Sequence, residues 1–139
     1  MGIYNHVLIL IHDENDGLTL LNHVTSLPET RGAKVSLCHL RDEFHPLEYI
    51  SDTPADDSQS PEAIAAREML NRVANQAPNR ADIAFMAIIR RFKDLEKFVE
   101  RNNIDLVVAG HKNRFLGTLT SRSAEFANHL TVDVLIHHL

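Results

Sequence analysis

Five short apolar runs recur along the chain, and hydrophobic residues repeat at a helical spacing in the stretches between them. Residues 7–11 (VLILI) form an unbroken run, the pattern of a central strand buried on both faces. Behind it, residues 12–16 offer several helix-capping side chains. Leu18, Leu21, Val24 and Leu27 then follow near a period of 3.6 until Pro28. Gly32 marks the return turn into a second run at residues 35–40. Residues 41–60 are acidic, serine-rich and punctuated by proline, and read as a mobile surface loop. Ser60, Pro61 and Glu62 combine an N-cap, a proline at the first helical position and an acid that the helix dipole favours. Ile64, Met69, Leu70, Val73 and Ala77 supply the buried stripe of that helix, and Pro78 and Asn79 end it. A third run covers residues 83–89, and Phe92, Leu95, Phe98 and Val99 mark the next amphipathic helix. A fourth run, residues 104–109, ends at Gly110. A polar loop and a helix around residues 118–130 lead to the fifth run, residues 132–136.

Strands alternating with helices predict an α/β fold, and right-handed crossovers place helices on both faces of a parallel sheet. Ligands in such sheets sit beyond the carboxyl ends of the strands, so the loop at residues 111–123 is where a ligand is expected.

The chain has 139 residues, which suits one domain with one core. Its formal net charge of −5 argues against nucleic acid or an anionic membrane as the main partner. The single cysteine, Cys38, excludes an internal disulfide framework, and its apolar setting predicts a buried, inert thiol. No basic region precedes the first apolar run, and no apolar stretch approaches the roughly 20 residues that span a bilayer. A cytoplasmic location without membrane insertion is the expectation.

In its strands the chain resembles the universal stress protein family, in particular the A subfamily and its small members that do not bind ATP. The resemblance is carried by His6, Val7, Leu8 and Ile9 at the first strand, and by residues 33–37 with His39 at the second. Asp105, Leu106, Val107 and Val108 with Gly110 and His111 carry it at the fourth strand, and residues 132–136 complete it. It spans essentially all of residues 1–139 as one universal stress protein domain. It implies a Rossmann-like, adenine nucleotide alpha hydrolase-like architecture: a five-stranded parallel sheet in the order 3-2-1-4-5.

ATP-binding relatives carry G-x2-G-x9-G-(S/T) after the fourth strand. Glycines there let the backbone approach the phosphates, and amide groups with a hydroxyl take up the charge. Counted from Gly110, the second glycine falls on Asn113, the third on Ser123 and the hydroxyl on Ala124, while Gly117 is out of register. The aspartate that relatives place at the end of the first strand is replaced by His12. Asp13, one residue on, points the other way along an extended chain. Ile89 stands where the third strand of a binder often ends in glycine. The expectation is a protein with no cofactor and no ATP site. The alternative, a weak ATP or AMP sensor, would use His12, Asp13, Gly110, Asn113, Gly117 and Ser123.

Nine histidines are present, and His12, His39 and His111 stand at expected strand ends, where neutral imidazoles could gather around zinc or act as a pH switch. No ligand-spaced motif accompanies them, so strand-end hydrogen bonding is preferred and no metal is expected. Ser121 and Ser123 lack a nucleophile elbow, and the carboxylate pair Asp56 and Asp57 falls in the long loop, so no catalysis is expected. The fifth strand is mostly apolar, with no lysine or proline to blunt its edge. The resemblance implies a homodimer through that strand, with Val132, Asp133, Val134, Leu135, Ile136 and His137 at the interface. It also implies action through contacts with an unidentified protein partner during stress.

Overall fold

The computed structural model describes residues 2–45, 61–77, 82–111 and 130–138. Along the chain these form β1 (His6–Ile11), α1 (Glu14–Ser26), a 3-10 turn (Pro28–Thr30), β2 (Lys34–His45) and α2 (Pro61–Asn75). They continue as β3 (Ile83–Arg91), α3 (Phe92–Arg101), β4 (Leu106–His111) and β5 (Asp133–His138). The five strands make one sheet in the order β3-β2-β1-β4-β5, and every pairing is parallel. The expected α/β fold and strand order are therefore present.

Strand β1 is buried at all six positions, and alternation divides its side chains between two cores. Val7, Ile9 and Ile11 pack with Leu20, Leu21 and Val24 of α1 and with Leu70 and Val73 of α2. Leu8 and Leu10 pack on the opposite face with Cys38, Leu95 and Val99. Helices thus cover both faces, as a doubly wound sheet requires.

Several boundaries differ from those that the periodicity predicts. Strand β2 continues through His45, past the expected end at Leu40, and its pairing with β3 shifts register between Leu40 and His45. Residues 41–45, whose polarity suggests a loop, instead belong to β2, with His45 paired to Arg91 of β3 beyond the register shift. Residues 46–60 lie outside the described residues, as does the expected helix of residues 118–130 up to position 129.

Ile64 is exposed, and Ala63 and Ala66 face the core in its place. In α1, Leu20 is fully buried while Leu18 and Leu27 are half-buried. Helix α2 ends at Asn75, ahead of Pro78, and Gln76 and Ala77 donate to the carbonyls of Val73 and Ala74. Ile104, expected in the fourth strand, closes α3 instead. Asn103 is left-handed at φ 53°, its amide donates to Glu100, and the Ile104 amide reaches back to Val99. This is a Schellman stop, with Ile104 as its hydrophobic plug. Strand β4 then includes Gly110 and His111, which pair with His137 and His138, so Gly110 is a strand residue and not a turn.

Candidate functional site

The switch point of the sheet lies between β1 and β4, whose neighbours diverge to opposite sides. At its β1 side the chain leaves Ile11, exposes His12 and enters α1 at Asp13. Asp13 is the N-cap, extended at φ −138° and ψ 175°, and its Oδ1 accepts the Asp16 amide at 2.9 Å. Its carbonyl accepts the Gly17 amide at 3.0 Å. Glu14 and Asp16 add two more carboxylates to the first turn. The positive end of the α1 dipole is therefore already offset by the chain's own acids, which disfavours a phosphate there. Glu14 also accepts from Nε of Arg72 at 2.7 Å, tying α1 to α2. Gly17 permits that closeness: a Cβ on it would sit 3.0 Å from Ile11 and 3.1 Å from Val73.

The histidines expected at strand ends have different fates, and His39 lies inside β2 because that strand runs on to His45. His12 is exposed, and the Nδ1–H of His39 donates to the Ile11 carbonyl at 3.1 Å, across the β1–β2 pair. A backbone carbonyl only accepts, so that nitrogen carries the proton. His111 ends β4, and its side chain lies outside the described residues. Among the described residues no three histidine, cysteine or acidic side chains gather closely enough to hold a metal. Gly110 is in place at the end of β4, whereas Asn113, Gly117 and Ser123 lie outside the described residues.

Among the described residues, the densest polar constellation sits at the other, amino edge of the sheet, away from the strand ends to which the motifs direct attention. The His6 ring is buried, with Nδ1 2.9 Å from the Asn102 carbonyl and Nε2 2.7 Å from Oγ of the fully buried Ser36. Because the Asn102 carbonyl can only accept, Nδ1 donates to it and Nε2 accepts the Ser36 hydroxyl proton. A serine–histidine pair of this kind has nucleophilic geometry, but with Oγ sealed in the core it serves structure. Asp105 accepts the amides of Asn5 and His6 at 2.9 and 3.0 Å. Tyr4 donates to Oδ2 of Asp133 at 2.7 Å, and this hydrogen bond is the main reason its phenol is held above the usual tyrosine pKa. A polar residue at the head of one apolar run, with a serine inside the next, was the signal in the sequence.

At β5, Val132 and Val134 pack toward the α3 side and Leu135 toward the α1 side, while Ile136 is 37% exposed. The His137 ring stacks on His23 of α1, with centroids 3.8 Å apart and planes 19° from parallel.

The model of the universal stress protein family matches residues 3–138. The chain belongs to the universal stress protein family. A universal stress protein A homolog from Haemophilus ducreyi is 26% identical over 138 residues, covering 96% of each chain. Among solved structures, a universal stress protein in complex with cAMP aligns with a TM-score of 0.61 at 22% identity, over 99% of this chain and 98% of the other. The Archaeoglobus fulgidus universal stress protein in complex with dAMP aligns at 0.63 and 16% identity, over 96% and 98% of the two chains. At these identities the solved structures support the fold, and the A-type assignment comes from the sequence relatives. Among the described residues no helix is long and apolar enough to cross a membrane.

Proposed function

We propose that this protein is a non-catalytic, cytoplasmic universal stress protein with a single domain over residues 1–139. In this reading it lacks the ATP site, uses no cofactor, pairs with itself through β5 and acts through contacts with other proteins. The observation that carries the first part is the commitment of Asp13. Its carboxylate caps α1, and with Glu14 and Asp16 it fills the helix end with negative charge. Downstream, only Gly110 matches the phosphate motif, where Asn113, Ser123 and Ala124 replace two glycines and a hydroxyl.

The pairing reading draws support from the difference between the two sheet edges. The β2–β3 ladder shifts register twice, between Val35 and Leu37 and again between Leu40 and His45. Bulged edges resist further pairing. The β4–β5 ladder pairs six consecutive residues from Leu106 to His111 without a shift, so β5 offers a regular template.

A second reading, weak binding of an adenine nucleotide, is favoured by the cAMP and dAMP carried by structures of similar fold. Titration calorimetry of the purified chain with ATP, AMP and cAMP separates the two. No saturation below about millimolar nucleotide is expected, whereas a saturable one-to-one isotherm with Kd below about 1 mM overturns the proposal.

A further inference from the structure

Two of the three polar residues of β5, Asp133 and His137, are each held in place from within the chain, and the third, His138, ends the strand. Asp133 is fixed by the Tyr4 hydroxyl at 2.7 Å, and His137 by its stack on His23 at 3.8 Å. Tyr4 and Leu135 both pack against the core on the α1 side, so Asp133, Leu135 and His137 share one face of the strand. Val132 and Val134 pack against the core on the other face, which by alternation also carries Ile136.

A two-fold axis that joins two copies of β5 edge to edge in antiparallel fashion runs normal to the sheet. It leaves the faces unchanged, so only residues of one face can stand opposite each other. That restricts the centre of symmetry to a residue. Centred on Val134, the pairing sets the Asp133 carboxylate against Leu135 in both halves. Centred on Ile136, it sets His137 against Leu135 and leaves Asp133 without an opposite residue in the strand. Centred on Leu135, it sets leucine against leucine, Val134 against Ile136 and Asp133 against His137, and the residue left without an opposite in the strand is the terminal His138, not the carboxylate. Like then meets like on the apolar positions, and the only carboxylate of the strand meets an imidazole twice. The exposed Ile136 gains an apolar neighbour in the same register.

We propose that β5 pairs with the β5 of a second copy in the antiparallel register centred on Leu135, so that Asp133 of each copy faces His137 of the other. This rests on the homodimer reading above and adds its register and its polar specificity. Tyr4 and His23 act as positioning residues for the two partners, holding them ready so that little side-chain freedom is lost on pairing.

The test uses the full chain, with the buried Cys38 left in place. Opposed Cβ atoms in such a pair lie about 4.5–5.5 Å apart, close enough for oxidation to trap them. Leu135→Cys is expected to give a covalent dimer, and Val134→Cys and Ile136→Cys are expected to give none. A mixture of Asp133→Cys and His137→Cys chains is expected to give the crossed species, which keeps the test open should Leu135→Cys fail to fold. In light scattering, His137→Asp is expected to weaken the dimer by about tenfold, through carboxylate facing carboxylate, and the exchange Asp133→His with His137→Asp to recover it. A dimer that cross-links through Val134→Cys, or an exchange that recovers nothing, overturns the register while the homodimer reading stands. A wild-type chain that is monomeric at about 100 μM overturns both.

Discussion

Replacing Ser36 with alanine tests the amino-edge network most directly. Ser36 is fully buried and donates to Nε2 of His6, whose own exposure is 7%. Loss of the hydroxyl leaves that ring nitrogen as a buried acceptor with no donor from β2, which costs about 1–3 kcal/mol. A chain of this size unfolds in urea with an m value of about 2 kcal/mol/M, so the midpoint is expected to fall by roughly 0.5–1.5 M with m unchanged. The comparison that isolates the interaction uses His6→Leu as a second background. There the ring is already absent, and Ser36→Ala removes a stranded hydroxyl instead of stranding a nitrogen. Its cost should drop to about zero, giving a coupling energy on the order of 1–3 kcal/mol. The Asn102 carbonyl loses its ring donor in both arms of that background, so this loss cancels. Equal cost in the two backgrounds, or a single-variant cost below about 0.5 kcal/mol, would refute the argument.

Cys38 yields a pH dependence with a definite sign. Burial raises its thiol far above the ordinary value of 9.0, so the unfolded chain ionises first and stability falls as pH rises past about 9, by up to about 1.4 kcal/mol per unit. Urea unfolding at about pH 8, 9 and 10 should show a steeper decline for wild type than for Cys38→Ala. Gly32 stands at φ 80°, and a Cβ added there would meet nothing within 4 Å, so its requirement is conformational. Gly32→Ala should therefore cost about 1 kcal/mol in thermal unfolding, and Gly32→Asn less, since asparagine tolerates the left-handed region. Gly2 fails for the opposite reason: an added Cβ would overlap the Glu29 carbonyl oxygen. Gly2→Ala should free the segment whose amides at Gly2 and Tyr4 bond Arg31 and Glu29, seen as faster hydrogen exchange at Tyr4.

The architecture was readable from hydrophobic periodicity because each strand between two helical layers carries a run of apolar residues. β1 shows this most fully, with all six residues buried. The end of β2 was hidden because residues 41–45 are mostly charged or polar, and the pairing of His45 with Arg91 beyond a register shift has no mark in the sequence. Ile104 was misread for a related reason. A hydrophobic residue after a helix either starts a strand or plugs a helix stop, and the left-handed Asn103 that decides between them has no unambiguous mark in the sequence. At the site, the displacement of aspartate from position 12 to 13 was legible, and the cap it forms gives that displacement a structural use. The bonds from His6 to Ser36 and from Tyr4 to Asp133 join residues 30 and 129 positions apart, and no local spacing announces them.

The placement of those bonds bears on how one fold carries different ligand chemistry. His6 joins β1 to Ser36 of β2 and to the turn before β4, Asp105 holds the amides of Asn5 and His6, and Tyr4 reaches Asp133 of β5. Four of the five strands are thus fastened by side chains at their amino ends, where no ligand binds in a sheet of this kind. Among the described residues, a helix cap at Asp13 and a histidine-to-backbone bond at His39 lie toward the carboxyl edge. The side-chain contacts named at the amino ends involve none of the residues of the loop leaving β4, so a change of residue in that loop leaves them in place. That separation leaves the fold independent of what the loop carries, and the likeness of this chain to cAMP- and dAMP-bound structures at 22% and 16% identity is a likeness of fold.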